Sequence, residues 1–225
     1  MIEIVSATRM SQADFWNKSA LGRSLARLHY DKRFVVRIAF ENTRGLPLIY
    51  NTSLASEDAA EVVVFMHDDV WIDDYFFADR VLSGLREFDV IGVAGNKRIV
   101  PNQPAWAFLD DRLTWDDFSN LSGSVAHGDD PFGEITHFGP VPAECELLDG
   151  VLIAVRKDRV KAANVSFDPR FNFHFYDIDF CRSARHAGLR LGTWPICITH
   201  QSPGAFGTPS WRANLAHYQQ KWVDA

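Results

Sequence analysis

The chain has 225 residues, of which 47% are hydrophobic and 23% charged, and its formal net charge is −6. This length allows one large domain or two small ones, and it favours one large domain with a substantial core. The negative charge argues against nucleic-acid binding through a general basic field. No apolar run is long enough to predict a transmembrane segment, and residues 1–5 are too short for the core of a signal peptide. The three cysteines are widely spaced and form neither a CxxC site nor a disulfide framework, so we expect a reducing, cytoplasmic compartment.

The first part of the chain alternates between predicted strands and predicted helices. Strands are predicted at residues 2–7, 34–40, 62–66 and 89–94, and helices at 11–29, at 46–56 and from 73 or 74 to 88. Leu21, Leu25 and Leu28 give the first helix an apolar face, and Asp73 or Asp74 is placed to cap the third. The alternation predicts an α/β fold with a mostly parallel sheet and right-handed crossovers.

The third predicted strand is the most informative segment. Residues 62–66 are an unalternating apolar run, which is typical of a strand buried on both faces. His67, Asp68 and Asp69 follow at once, at the carboxyl end of the strand, where open α/β sheets bind their ligands. Imidazole and carboxylate groups bind divalent cations, and a bound cation would neutralise a phosphate-bearing substrate. The alternative is that the two aspartates begin a surface loop and that His67 is a core residue whose hydrogen bonds are made within the fold.

Residues 97–142 differ in character, because glycines and prolines punctuate them and large aromatic residues are frequent. We expect long ordered loops and a hairpin across the mouth of the sheet, since long loops in a compact domain commonly serve function. Trp106 and Trp115 could stack on a sugar ring or could form a small core of the loops themselves. The sequence supports the sugar-stacking interpretation and the loop-core interpretation equally.

The rest of the chain returns to regular elements. Strands are predicted at residues 146–156, 189–193 and 195–199, and helices at 156–163, from 176 or 177 to 188 and at 211–222. Asp149-Gly150 interrupts the first of these strands, which indicates a bulge, the close approach of a ligand or a hairpin turn. Asp177 and Asp179 fall in the first turn of a predicted helix, where the helix dipole favours ionised carboxylates.

Several motifs in a fixed order resemble a known family. HDDV follows the third strand, LLDGVLIAVRK comes later, and FDPRFNFHFYDIDFCRSARHAGLRLGTWP and ITHQSPG follow in turn. Together they resemble the family 2 glycosyltransferases, and among these the branch typified by the streptomycin-biosynthesis StrF domain. The block from YDIDFC to THQSPG is the most specific part, because it is similar to the family's ED…G…P…H pattern.

The resemblance implies a GT-A fold, which is a three-layer α/β sandwich around a mixed, mainly parallel sheet, in a single domain over residues 1–225. Residues 1–100 would bind the nucleotide sugar, and residues 101–225 would bind the acceptor and carry the catalytic base. It also implies transfer of a sugar from a nucleotide-sugar donor to an acceptor hydroxyl, with Mn²⁺ or Mg²⁺ as cofactor and with inversion at C1. The acceptor could be a glycan, a lipid-linked molecule or a small molecule.

The resemblance also implies roles for individual residues. Asp177 matches the catalytic base, and Asp69 and His200 match metal ligands. His67 stands where the family usually has its first Asp and is a further candidate ligand, and Tyr176 stands where the family has Glu. The remaining implied contacts are Thr8, Glu41, Asn42, Asn51 and Asp68 on the donor side, and Trp106, Asp149, His174 and Asp179 on the acceptor side.

Asp177 is favoured over Asp179 as the base. A helix turns about 100° per residue, so the two side chains point to different sides and one of them faces the cleft. Asp179 has Arg182 at i+3 and can be explained as a structural ion pair. We also expect the helix N-terminus to keep Asp177 ionised at neutral pH.

Two other functions fit parts of the sequence. A metal-dependent nucleotidyltransferase would normally have a glycine-rich phosphate loop early in the chain, and residues 6–9 contain no glycine. A non-catalytic nucleotide-sugar or glycan-binding module would account for His67 and Tyr176 as departures from the catalytic pattern.

Overall fold

The computed structural model describes residues 1–57 and 60–223. Its strands are β1 Ile2–Ala7, β2 Phe34–Ala39, β3 Val62–Met66, β4 Val70–Ile72, β5 Val90–Gly92, β6 Ala94–Asn96, β7 Leu121–His127, β8 Glu134–Gly139, β9 Ala143–Cys145, β10 Leu147–Leu148, β11 Leu152–Arg156, β12 Leu191–Thr193 and β13 Ile198–His200. Its α-helices are α1 Gln12–Lys18, α2 Ala20–Arg27, α3 Leu46–Ala55, α4 Phe77–Glu87, α5 Lys157–Ala162, α6 Tyr176–His186 and α7 Pro209–Lys221, and a 3₁₀ turn covers Phe118–Asn120. None of the described helices is long and apolar enough to cross a membrane.

The larger sheet has the strand order β2-β1-β3-β11-β5-β12-β9. β1 pairs in parallel with β2 and β3, whereas β11 runs antiparallel to its neighbours β3 and β5. β12 is parallel to β5, and β9 is antiparallel to β12. β11 and β9 therefore run against the other five strands, and the predicted mixed, mainly parallel sheet is confirmed.

A smaller sheet has the order β10-β6-β7-β13-β4, and β8 pairs with β7 outside this path. β7 and β8 are antiparallel and form the hairpin expected between residues 97 and 142. β10 lies in this sheet while β11 lies in the larger one, so Asp149-Gly150 marks the point where the chain passes from one sheet to the other. The alternative of an ordinary hairpin turn at this dipeptide is wrong.

The hydrophobic core surrounds β3. All five residues of Val62–Met66 are buried, as their unalternating apolar sequence predicts. The final helix α7 buries Trp211, Leu215 and Tyr218, which recur at helical spacing and confirm its predicted amphipathic character.

The single helix predicted over residues 11–29 is wrong, because Ser19 divides it into α1 and α2. The Ser19 hydroxyl donates to the carbonyl oxygen of Phe15 at 2.7 Å and accepts from the peptide nitrogen of Gly22 at 2.9 Å. The same serine thus ends α1 and caps α2. A Cβ on Gly22 would overlap the Phe15 carbonyl, so glycine is required for this tight break.

Other elements also differ from the prediction. The strand predicted at 89–94 divides at Val93 into β5 and β6, which belong to different sheets. The short strand β4 was not predicted. α4 begins at Phe77 rather than at the predicted aspartates, because Oδ1 of Asp74 accepts from the peptide nitrogen of Phe76 in a turn before the helix.

Candidate active site

A cavity of about 600 Å³ lies at the carboxyl end of β3. Its wall combines the segment after β3, the turn between β10 and β11, the start of α6 and the loop after β13. The predicted site residues that line it are His67, Asp68, Asp69, Trp106, Asp149, His174, Asp177 and His200. Residues that are far apart in sequence therefore meet around one space.

His67, Asp69 and His200 form a cluster in which the ligand atoms lie within 4.8 Å of one another. Strand pairing explains the cluster, because His200 at the end of β13 is the register partner of Val70 in β4. Oδ1 of Asp69 lies 3.3 Å from Nε2 of His200, yet it is buried and accepts no well-aligned hydrogen bond from the described residues. A buried carboxylate oxygen that lacks a donor beside two imidazoles is consistent with a cation ligand.

The protonation states in this cluster favour cation binding at two of its three residues. Burial disfavours the carboxylate of Asp69, but His200 and His67 outweigh it and lower the pKa of Asp69 to about 2. Burial also disfavours protonation of His200, although Asp69 outweighs it and raises the pKa of His200. Burial lowers the pKa of His67 and favours its neutral form. Asp69 and His67 are thus in the forms that bind a cation, whereas His200 must release its proton to bind one. With that proton released, the three residues fit a divalent metal.

A chain of hydrogen bonds runs from His67 to Asp177. Nε2 of His67 lies 2.9 Å from the hydroxyl of Tyr176, and that hydroxyl donates to the carbonyl oxygen of Gly150 at 2.9 Å. The peptide nitrogen of Gly150 donates to Oδ2 of Asp177 at 3.0 Å. A Cβ on Gly150 would lie 2.5 Å from the Tyr176 hydroxyl and 2.8 Å from Cβ of Asp177. The glycine after Asp149 therefore permits the close approach of α6.

Asp177 titrates near neutral pH. Burial raises the pKa of Asp177 to about 7, and the negative charge of Asp149 acts in the same direction. The peptide nitrogens at the start of α6 and at Gly150 act in the opposite direction but are outweighed. The expectation that the helix N-terminus keeps Asp177 fully ionised at neutral pH is wrong for this reason. A carboxylate with such a pKa is well suited to accept a proton at neutral pH.

The two predicted tryptophans have different environments. Trp106 is 5% exposed and packs edge-on against Phe138, with ring centroids 4.9 Å apart. Trp115 is 46% exposed and stacks against Phe118 and Phe138, with ring centroids 5.8 and 6.1 Å away. Both also line the cavity. The core interpretation therefore describes Trp106, while the side chain of Trp115 is open to solvent.

Four of the five predicted donor-side residues, namely Thr8, Glu41, Asn42 and Asp68, lie at the carboxyl edge of the parallel strands, and of these four Asp68 lines the cavity. The ends of β1 and β2 are joined there, because the peptide nitrogen of Asn42 donates to the carbonyl oxygen of Thr8 at 2.8 Å. Glu41 precedes Asn42 and has a left-handed backbone with φ of 48°. Burial raises the pKa of Asp68, while the Thr8 hydroxyl acts in the opposite direction. Thr8 is therefore a neighbour of Asp68 at the end of β3.

Asn51 and Asp179 do not line the cavity. The side chain of Asn51 donates to the carbonyl oxygen of Phe167 at 2.7 Å and accepts from its peptide nitrogen at 2.9 Å. Asp179 is fully buried, and its carboxylate accepts from Nζ of Lys221 and Nε1 of Trp222, each at 2.9 Å. Both side chains are thus occupied by contacts that hold the fold together.

Two histidines complete the cavity wall. Nε2 of His174 lies 2.9 Å from the hydroxyl of Ser210, and burial lowers the pKa of His174. His127, which the sequence analysis did not single out, is the register partner of His200, and their ring centroids are 6.2 Å apart. The pairing of β7 with β13 brings these two residues together, and no local motif around residue 127 indicates it.

The mixed sheet and the cavity at its carboxyl edge define a protein of the GT-A fold class. The sequence profile of the Glycosyltransferase like family matches residues 23–221, and the chain belongs to this family. Family and fold together confirm the predicted resemblance to family 2 glycosyltransferases of GT-A fold. No curated protein sequence matches the chain.

Solved structures with a similar fold include the following three. TarS 1-349 from S. aureus has a TM-score of 0.54 and 14% identity, covering 100% of this chain and 66% of that one. The mannosyltransferase PcManGT from Pyrobaculum calidifontis, in complex with GDP-Man and Mn²⁺, has a TM-score of 0.52 and 14% identity, covering 100% and 64%. GalNAc-T7 with UDP, GalNAc and Mn²⁺ has a TM-score of 0.51 and 10% identity, covering 96% and 47%. The chain thus spans at most 66% of these three proteins.

Proposed function

We propose that the protein transfers a sugar from a nucleoside-diphosphate sugar to an acceptor hydroxyl, with a divalent cation at His67, Asp69 and His200 and with Asp177 as the base. One observation carries this proposal. A single cavity is lined both by a cluster of cation ligands and by a carboxylate whose pKa is about 7. Glycosyl transfer needs both groups, because charge grows on the leaving diphosphate while the acceptor hydroxyl loses a proton.

The cation site favours a transition-metal ion. When bound, a divalent cation would stabilise the charge on the leaving diphosphate. Two imidazoles and one carboxylate would hold it, and imidazole nitrogen suits a first-row transition metal better than Mg²⁺, which prefers oxygen ligands. PcManGT and GalNAc-T7 were each solved with Mn²⁺, which supports Mn²⁺ as that metal.

The donor would lie along the carboxyl edge of β1, β2 and β3. Asp68 would accept from the ribose hydroxyls, next to Thr8, and Glu41 and Asn42 would border the base of the nucleotide. TarS was solved with UDP and PcManGT with GDP-Man, so a uridine or guanosine diphosphate sugar is the donor class that we propose. Asn51 is left out of this set because its side chain is bound to Phe167.

Asp177 would accept the proton of the acceptor hydroxyl as the acceptor oxygen attacks C1 of the donor sugar. Attack from the face opposite the leaving diphosphate inverts the configuration at C1. Burial and the neighbouring charge of Asp149 keep the pKa of Asp177 at about 7, so the carboxylate form is available at neutral pH and is basic enough to assist the attack.

The acceptor would enter past an aromatic rim. Trp115 and Phe206 line the cavity and are 46% and 37% exposed, so each offers a flat apolar face at its mouth. Such faces suit an acceptor that presents a sugar ring. His174 and Asp149 would then supply polar contacts nearer to Asp177.

Three further proposals concern the two halves of the chain, its branch of the family and its compartment. We propose that residues 1–100 hold most donor contacts and residues 101–225 most acceptor contacts, that the chain is of the StrF type, and that the protein works in the cytoplasm. The cysteines support a reducing compartment, because Cys145, Cys181 and Cys197 are all free thiols.

Release of nucleoside diphosphate from a panel of UDP- and GDP-sugars tests the proposed function. We expect Mn²⁺-dependent release from one donor class, and nuclear magnetic resonance of the product should show an inverted anomeric centre. Tight nucleotide binding without turnover of any donor would point to a non-catalytic binding module. Release of pyrophosphate from a nucleoside triphosphate and a sugar phosphate would point to a nucleotidyltransferase.

A further inference from the structure

We infer that Tyr176 is a positioning residue whose hydroxyl fixes the tautomer of His67, so that His67 binds the divalent cation directly through Nδ1. The inference rests on the cation site of the proposed function and deepens it. His67 stands in place of the family's usual Asp. The inference makes it a direct ligand of the metal and not a residue that lies near the metal without contacting it.

The directions of two hydrogen bonds carry the argument. A carbonyl oxygen can only accept, so the Tyr176 hydroxyl uses its single proton on the carbonyl of Gly150, 2.9 Å away. The 2.9 Å contact between that hydroxyl and Nε2 of His67 must then have Nε2 as the donor. A neutral imidazole that is protonated at Nε2 keeps its lone pair on Nδ1, which is the atom left to bind a cation.

The surroundings hold the Tyr176 hydroxyl in this position. Tyr176 is 2% exposed, and its ring packs against those of Tyr50 and Phe167, with centroids 5.8 and 6.0 Å away. The absence of a side chain at Gly150 leaves room for the hydroxyl, which a Cβ would approach to 2.5 Å. The ring of Tyr176 is fixed and its hydroxyl proton is donated to the carbonyl of Gly150. The hydroxyl oxygen therefore acts as a hydrogen-bond acceptor for Nε2 of His67.

The identities of the two residues support the pairing. His67 and Tyr176 are the two positions at which this chain departs from the acidic residues of the family's motifs, and in the fold they contact each other. An imidazole that donates to a hydroxyl is a neutral pair, so both changes are accommodated together without a buried unpaired charge. The same Gly150 peptide also donates to Asp177, which ties the position of His67 to that of the proposed base.

The affinity of the full-length protein for Mn²⁺ alone, from electron paramagnetic resonance of the free ion, tests the inference. Tyr176→Phe removes the acceptor for Nε2–H, and loss of such a supporting hydrogen bond typically weakens metal binding about 10- to 100-fold. Tyr218→Phe is the matched control, because it deletes another fully buried tyrosine hydroxyl, which accepts from Arg182 at 3.4 Å. Tyr218 does not line the cavity, so the loss of its hydroxyl should leave Mn²⁺ affinity within about twofold.

The tautomer is measured directly by ¹⁵N resonance of histidine-labelled protein, with His67 assigned from the spectrum of His67→Gln. In the metal-free wild type we expect a protonated Nε2 and an unprotonated Nδ1. Addition of Zn²⁺, as a diamagnetic probe, should shift the Nδ1 resonance. Tyr176→Phe should lose the tautomer preference, and Tyr218→Phe should keep it.

Three results would overturn the inference. These are protonation of Nδ1 in the metal-free wild type, equal Mn²⁺ affinity in wild type and Tyr176→Phe, and no Mn²⁺ binding by the wild type even with a nucleoside diphosphate present. If Tyr176→Phe does not fold, the tautomer of the wild type decides the question alone. No measurement here uses sugar transfer, so a protein that passes them yet turns over no donor contradicts the proposed function only.

Discussion

The indole Nε1 of Trp106 donates a 2.7 Å hydrogen bond to Oδ2 of Asp149. The other oxygen of this carboxylate accepts from the peptide nitrogen of Val151 at 2.8 Å. Asp149 is therefore fixed by two donors, and its charge contributes to raising the pKa of Asp177 to about 7. A buried aromatic residue of the loop region thus holds the charge that adjusts the proposed base.

Replacement of Asp149 by Asn should shift the pH dependence of catalysis. Sugar transfer by the wild type should fall as pH drops through about 7, because protonated Asp177 accepts no proton. Asp149→Asn removes a neighbouring negative charge, which lowers the pKa of Asp177 and moves this acid limb to lower pH. The pH profile of kcat/KM measures the shift, with the exposed Asp111→Asn as control. An acid limb at the same pH in wild type and Asp149→Asn would show that Asp149 does not adjust the base.

Trp115→Ala should weaken acceptor binding and spare the donor. The side chain is 46% exposed at the cavity wall, so its removal takes away a stacking face without opening a core. We expect the KM for the acceptor to rise roughly 5- to 30-fold, which corresponds to about 1–2 kcal/mol of lost contact. The affinity for nucleoside diphosphate should stay the same.

Phe76→Ala is the control for this experiment, because Phe76 is 67% exposed and does not line the cavity. A lower unfolding temperature of Trp115→Ala, with an unchanged KM, would instead mean that Trp115 serves the core of the loops.

Asp69→Asn and His200→Ala should each abolish the metal dependence of nucleotide binding. The neutral amide of Asn is a poor cation ligand, and alanine supplies no ligand at all. Isothermal titration of UDP and GDP with and without Mn²⁺ should show a large gain in affinity for the wild type and little gain for either variant. If Mn²⁺ raised the nucleotide affinity of both variants as much as that of the wild type, the proposed cation site would be wrong.

Asp179→Asn should lower the stability of the fold and leave the rate of sugar transfer unchanged. Its fully buried carboxylate accepts from Lys221 and Trp222, and the substitution weakens hydrogen bonds to a charged group. We expect a loss of about 2 kcal/mol, or roughly 4–8 °C in unfolding temperature for a chain of this size. Calorimetry measures the shift, and sugar transfer well below that temperature should be near wild type. If a folded Asp179→Asn protein lost most of its rate of sugar transfer, Asp179 would have a role in catalysis.

The sequence predicted those strands and helices whose bounds depend on neighbouring residues alone. The apolar run of β3 gave its bounds at Val62–Met66, and α6 begins at Tyr176, one of the two predicted starts. Ser19 shows the limit of periodicity, since apolar residues continue at helical spacing across it while its hydroxyl ends one helix and caps the next. A break of this kind depends on one side-chain rotamer and leaves the hydrophobic pattern intact.

The site depends on contacts that no local pattern encodes. The pairing of β13 with β4 and β7 places His200 beside Asp69 and His127, although these residues come from distant segments. The start of α6 does favour the ionised form of Asp177, but burial and the charge of Asp149 outweigh it. The burial of its carboxylate and the proximity of Asp149 become visible only once the turn between β10 and β11 is packed against α6.

Asp177→Asn compared with Asp179→Asn tests the central claim most directly. The two substitutions make the same chemical change two residues apart on α6, but Asp177 lines the cavity while Asp179 is buried against Lys221 and Trp222. The measurement is the single-turnover rate of sugar transfer, together with donor affinity in the presence of Mn²⁺. The account predicts that Asp177→Asn keeps donor affinity and loses roughly two to four orders of magnitude in transfer rate, whereas Asp179→Asn transfers at near wild-type rate. Near wild-type transfer by Asp177→Asn would contradict the account and make Asp149 the next candidate for the base.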